Sequence, residues 1–109
     1  MDISLSDEFA QEKLRASYAL MQVLDPELQV NIIDLGLVYE IHFNKPQTVS
    51  VKMTLSTRHC PMGDAIQQGV VHALQQAFPN YDVDIELVWE PEWNFDKISE
   101  AGKEQLGLL

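Results

Sequence analysis

The residues best equipped for chemistry lie in the run TLSTRHCPMG, residues 54–63, which holds the chain's single cysteine, Cys60. An alternating strand pattern precedes the run, and Pro61 stands where a first helical residue is favoured, so the spacing predicts Cys60 at a helix N-cap. A thiol there meets unpaired backbone N–H groups and the positive end of the helix macrodipole, both of which favour the thiolate. Thiolate chemistry means metal ligation or nucleophilic attack, and Arg58 and His59 would favour the anion further. Free cysteine is also among the most buried residue types, so spacing alone leaves a small apolar core role open.

Two thiol-enzyme templates fail on this loop. A thioredoxin-like pair needs a second cysteine where Gly63 stands, and a phosphatase-type loop needs an arginine where Ile66 stands. A Cys–His dyad would have to recruit His42, His59 or His72 through folding. Alternation puts His42 on a strand face, and periodicity puts His72 on the outer side of a helix. With one cysteine there is no internal disulfide and no four-thiolate cage, which points to a reducing, cytoplasmic setting.

Two further groups carry chemical potential. Asp25, Glu27 and Asp34 could do acid–base work or hold a hard cation, but Asp-Pro and Asp-x-Gly are ordinary turn chemistry and the turn reading is preferred. Trp89, Pro91 and Trp93 read either as a lid on a sheet or as a partner-binding surface.

The elements that must position these residues follow from periodicity. Ser6 or Asp7 can cap a helix that runs to about Leu24, with Ala10, Leu14, Met21 and Leu24 on its apolar face, and Asp25-Pro26 ends it. Val30, Ile32, Ile33 and Leu35 make the next connector core-facing. LVYEIHF, residues 37–43, reads as a strand. Val49, Val51, Met53 and Leu55 alternate with polar residues as a second strand. Ile66, Val70, Ala73 and Ala77 mark the inner side of a helix that ends before Pro79. Val83, Ile85 and Leu87 alternate with Asp82, Asp84 and Glu86 as a third strand with an acidic outer face. A short helix begins near Ser99.

This order predicts a two-layer α+β sandwich: helix, strand, strand, helix, strand and a short C-terminal helix, with the helices on one face of a small mixed sheet. At 109 residues with 46% hydrophobic content it is a single domain spanning 1–109, in which residues 89–109 form a tail packed on the rest. Seven basic against seventeen acidic residues give a formal charge of −10. That field, with no basic cluster to override it, argues against nucleic acid and membrane surfaces as partners. The opening residues lack a signal-peptide pattern and no apolar run approaches a membrane span, so a soluble cytoplasmic protein is expected.

With these residues in view, the chain resembles the SufT/PaaD-like family of metal–sulfur cluster assembly factors, relatives of the eukaryotic cytosolic iron–sulfur targeting subunits. The resemblance runs from about residue 18 onward through Asp25-Pro26-Glu27, IIDLGLVYEI at 32–41, MTLSTRHCPMG at 53–63, the W-x-P-x-W of Trp89 to Trp93, and ISEAGKEQLGL. It implies an α+β domain that carries or delivers iron or iron–sulfur clusters to client apoproteins, working with other iron–sulfur assembly proteins. Cys60 would be the ligating or reactive residue, and Asp34 and Thr57 fall at positions that the family's motif also marks. Relatives commonly carry Pro-Gly where this chain has Arg58-His59, which alters loop stiffness and adds His59 as a further candidate ligand. The Cys-rich extension frequent in the PaaD branch is absent, so the SufT-like branch fits better.

One thiolate cannot supply the four ligands a cluster wants. A cluster on Cys60 must therefore bridge two chains, as in a homodimer, or borrow ligands from a client, glutathione or another assembly protein, which suits transient handling. Two other readings stay open at this point: a client adaptor that never ligates metal and touches clients through the acidic third strand and the Trp89/Trp93 tail, and a small thiol-dependent enzyme.

Overall fold

Val49, Val51 and Met53 have no exposed surface, and they form the middle of the molecule. The structure, a computed structural model, describes residues 8–26, 28–44, 47–55 and 63–108. Its elements are α1 (Ala10–Leu20), β1 (Val38–Asn44), β2 (Thr48–Met53), α2 (Gly63–Ala77), β3 (Asp82–Leu87), a 3₁₀ turn (Phe95–Lys97) and α3 (Glu100–Gln105). β2 is central in the order β1-β2-β3. It pairs antiparallel with β1, Ile41 opposite Val51, and parallel with β3, Val51 opposite Ile85. A parallel pair cannot be joined by a tight turn, and α2 supplies the crossover.

Alternation sends one set of strand side chains to a shared core with Leu20, Ile32, Leu35, Leu37, Ile66, Val70 and Leu74. α1 packs beside β1 and α2 beside β3 on that face. The opposite face carries Glu40, His42, Ser50, Lys52, Asp84 and Glu86 and is open to solvent. There Lys52 reaches Glu40 at 3.3 Å and Glu86 at 3.8 Å, exposed pairs of small energetic weight. The two-layer α+β reading holds, as does the order of its elements.

The apolar face assigned to the first helix holds at Ala10 and fails at Leu14, Met21 and Leu24. α1 ends at Leu20, and Ala10, Ala16 and Leu20 are its buried residues. Leu14, Met21 and Leu24 are instead 39%, 36% and 51% exposed. The helix has apolar residues on two stripes, and periodicity cannot choose between them. Packing chooses the stripe with Ala16, whose single methyl lets the helix approach the core closely. Beyond Leu20 the chain turns, the Val23 N–H donating to the Leu20 carbonyl at 3.0 Å, and Val23 enters the core in place of Leu24. In α2 the inner side is Ile66, Val70 and Leu74, continued by Phe78, while Ala73 and Ala77 are half-buried.

Two local devices set the geometry. Val38 faces Met53 and Glu40 faces Lys52, so Tyr39 is the extra residue of a β-bulge that puts both Val38 and Ile41 into the core. Arg15 donates from Nη2 to the Ala77 carbonyl at 2.8 Å and lies 4.6 Å from the centre of the Phe78 ring, so α1 caps the C-terminal end of α2. Among the described residues no helix is long and apolar enough to cross a membrane.

Candidate functional site

Strand directions gather Leu55, the Asp34 turn and Trp89 at one end of the sheet. β2 finishes where β1 starts and β3 finishes. The Thr54 N–H donates to the Leu37 carbonyl and the Val88 N–H to the Met53 carbonyl, both at 2.8 Å. Buried Leu55 and the first residue of α2, Gly63, flank residues 56–62. Thr57, Arg58, His59 and Cys60 belong to that segment and lie outside the described residues, as does the expected N-cap position of Cys60.

Asp34 sits in the turn that leads into β1 at this end. Its N–H donates to Asn31 Oδ1 at 2.9 Å, and its Oδ2 accepts from Asn31 Nδ2 at 2.8 Å. Its Oδ1 accepts from the Ser99 hydroxyl at 2.8 Å, and its carbonyl accepts from the Ser99 N–H at 2.7 Å. Ser99 Oγ in turn accepts from the Gly102 N–H at 3.0 Å, capping α3. Oδ2 therefore braces the turn itself, and Oδ1 holds the tail to it. Asp25, only 2% exposed, accepts from the Leu28 N–H at 3.0 Å. Asp25 and Asp34 each accept a bond within their turn, Asp34 in addition to its bond from the tail, and Glu27 lies outside the described residues.

The tail's aromatic residues close the same end. Trp89 and Trp93 are half-buried against the core, and the Trp93 indole N–H donates to the Leu35 carbonyl at 2.7 Å. Pro91 is exposed, and its carbonyl accepts from the Tyr39 hydroxyl at 2.7 Å. Lys97 Nζ lies 5.1 Å from the centre of the Tyr39 ring. A hollow of about 880 Å³ opens between Asp34, Tyr39, Lys52, Pro91, Lys97 and Ser99. His42 pairs with Glu40 at 3.2 Å and His72 with Gln76 at 3.0 Å, both on exposed surfaces. Among the described residues no group of three or more His, Cys, Asp or Glu side chains is placed to hold a metal ion.

Partial burial, and secondarily the Glu90 carboxylate, raise the Tyr39 phenol above its ordinary 10.0. The folded state thus favours the neutral hydroxyl, which keeps its bond to Pro91. Its contribution is fully present below pH 10 and is lost as pH rises through the raised value. Tyr39→Phe should cost no more than about 1 kcal/mol at neutral pH. It should also remove a component of the phenolate absorbance titration that lies above pH 10.0. Loss of a component centred at or below 10.0 would show that this phenol is not raised.

Ser99, Asn31 and Tyr39 escaped the sequence reading. Ser99 was legible only as the approximate start of a short helix, because its bond to Asp34 spans 65 residues.

A two-layer domain with this crossover and this turn-and-tail closure at one sheet end defines a class of small α+β protein seen before. The crystal structure titled a domain of unknown function, DUF59, from Bacillus anthracis superposes with a TM-score of 0.83 at 31% identity, over 88% of this chain and 92% of that one. A family model described as iron-sulfur cluster assembly protein matches residues 15–87. A Porphyromonas gingivalis protein named Fe-S protein maturation auxiliary factor is 37% identical over 96% of this chain and all of its own length. The Bacillus subtilis Fe-S protein maturation auxiliary factor YitW is 39% identical over 83% of this chain and 88% of its own. The chain belongs to the iron–sulfur cluster assembly protein family. That membership bears out the resemblance read from about residue 18 onward and places the chain in iron–sulfur cluster assembly or maturation.

Proposed function

We propose that this protein is a cytoplasmic, non-enzymatic maturation factor that takes up iron or an iron–sulfur cluster on Cys60 and passes it to client apoproteins. The cluster is cargo, held briefly, and a second chain, an assembly protein or the client supplies the ligands that one thiolate cannot. The observation that supports this reading is the sheet-end arrangement. The ends of the Cys60 segment, Leu55 and Gly63, leave the same end of the sheet that the Asp34 turn, the start of β1 and Trp89 close. Described elements thus flank both ends of the Cys60 segment, and this reading takes Thr57 and Asp34 as supporting residues, with Arg58 and His59 next to the cysteine in sequence.

An adaptor that contacts clients without ligating metal is the second reading. It is favoured by the exposed Glu90–Glu92 stretch between half-buried Trp89 and Trp93 and by the acidic outer face of β3. One experiment separates the two. Wild type and Cys60→Ser are reconstituted anaerobically with iron and sulfide, and visible absorption and iron per chain are read. Each is also tested for client-enzyme activity in cells limited for assembly factors. The carrier reading expects wild-type absorption that Cys60→Ser abolishes, together with a large loss of client activity. No cluster in either protein, with client activity unchanged by the substitution, would leave the adaptor.

A further inference from the structure

We propose that the outer edge of β3 is a docking strand for an extended client segment with basic residues at alternate positions. This rests on the reading that the chain contacts clients and adds where and how.

Among the described residues the edge is unpaired in a specific way. Along a strand in a parallel ladder, successive residues turn their N–H and C=O alternately toward one neighbour and away from it. The Asp82 N–H donates to the Gln47 carbonyl at 2.9 Å and the Val88 N–H to the Met53 carbonyl at 2.8 Å. Even-numbered residues of β3 therefore bond to β2, and Val83, Ile85 and Leu87 turn their backbone groups outward. Among the described residues no backbone bond other than the β2 ladder involves those three. Edge exposure also explains why they are half-buried while Val49, Val51 and Met53 beside them are fully buried.

Both sides of this edge are built to receive a strand. On the core side a groove of about 330 Å³ runs between Ile85 and the α2 residues Gln67, Gln68, Val71, His72 and Gln75. On the open face Asp82, Asp84 and Glu86 project beside the edge, with Lys52 as the cation reaching Glu86. An added strand places alternate side chains on the two sides. One set meets the groove and suits Val or Ile. The other meets three carboxylates and suits Lys or Arg, since opposite charges across a ladder stabilise and like charges repel. That repulsion, on a chain of formal charge −10, disfavours a second copy as the occupant, because two β3 strands side by side would juxtapose their acidic rows.

The test uses the full-length ¹⁵N-labelled chain and a short peptide alternating Lys and Val, with a same-composition isomer whose Lys and Val are in separate blocks. The alternating peptide should slow amide exchange at Val83, Ile85 and Leu87 and bind about tenfold more tightly than the isomer, the difference expected from a few ladder hydrogen bonds. Ile85→Pro removes an outward N–H without touching the β2 ladder and should weaken binding about tenfold. Should that variant fail to fold, Asp84→Lys with Glu86→Lys takes its place, with the same expected loss. Equal binding of the isomer would overturn the proposal. So would chemical-shift changes that map away from β3, or edge protection that grows with protein concentration in the absence of peptide. Cys60→Ser should bind the peptide normally. Edge protection without a cluster on Cys60 sinks the carrier reading alone, and a cluster on Cys60 without edge protection sinks this one alone.

Discussion

Gly36→Ala is expected to be among the most damaging single-methyl additions to this chain, lowering stability by about 3 kcal/mol or more and the melting temperature by roughly 15 °C. Two costs combine. Gly36 has φ +75°, a left-handed conformation that costs a residue with a Cβ roughly 1–2 kcal/mol. A Cβ there would also stand 2.2 Å from the Lys97 carbonyl oxygen and 2.9 Å from the Lys97 carbonyl carbon, so the tail's backbone would have to lift. Gly107 separates the terms, because its φ is +74° but nothing lies within 4 Å of a Cβ at that position. Gly107→Ala should show the conformational cost alone, about 1 kcal/mol. Chemical denaturation of both variants checks the difference. If the two lose equal stability, the close approach of the tail to the Asp34 turn contributes nothing. A loss at Gly36 of this size would be a large part of an ordinary domain's whole stability.

The contrast between those two glycines shows where sequence reasoning succeeds and where it stops. The strands were legible because Val49, Val51 and Met53 alternate with Ser50 and Lys52, and because Val83, Ile85 and Leu87 alternate with acids. A crossover of helical periodicity between them was enough to imply a mixed sheet. Burial of Val30, Ile32 and Leu35 followed from a connector too apolar to face water. The inner stripe of α1 was not legible, since Leu14, Tyr18 and Met21 offer as good a helical stripe as Ala16, Leu20 and Val23. Only the packing partner distinguishes them, and size matching favours the alanine. The Tyr39 bulge was equally hidden, because a strand with an extra residue keeps its composition and loses only its register. Gly36 read as a turn glycine, but its contact with Lys97 lies 61 positions away, as 97 − 36 gives. The candidate site divides the same way. Cys60 stood out by residue type and spacing, and Asp34 by motif, whereas the work Asp34 does depends on Ser99 and no local pattern links the two.

Asp34→Ala is expected to lose about 2–4 kcal/mol, because it withdraws the acceptor from both Asn31 Nδ2 and the Ser99 hydroxyl and loosens the turn and the tail together. Asn31 is only 8% exposed, so its amide would be left poorly solvated. Asp34→Asn should lose about half as much, since Oδ1 can still accept from Ser99 while its amide nitrogen meets another donor at Asn31. Ser99→Ala removes the α3 cap as well as the bond to Asp34 and should cost about 1–2 kcal/mol. In a double-mutant cycle the two losses should fall short of additive by about 1 kcal/mol or more, the coupling of groups in one network. The cycle also bears on function. Asp34 has been read as a supporting residue beside Cys60, and Ser99 has no place in that chemistry. If Ser99→Ala reduces client maturation in proportion to its stability loss, and Asp34→Ala lies on the same line, Asp34 acts by docking the tail at the sheet end from which the Cys60 segment departs. If Asp34→Asn, the milder lesion in stability, loses maturation as completely as Cys60→Ser while Ser99→Ala does not, the carboxylate acts on the cargo or its ligand directly. Denaturation midpoints and client activity measured on the same four proteins decide between those two roles.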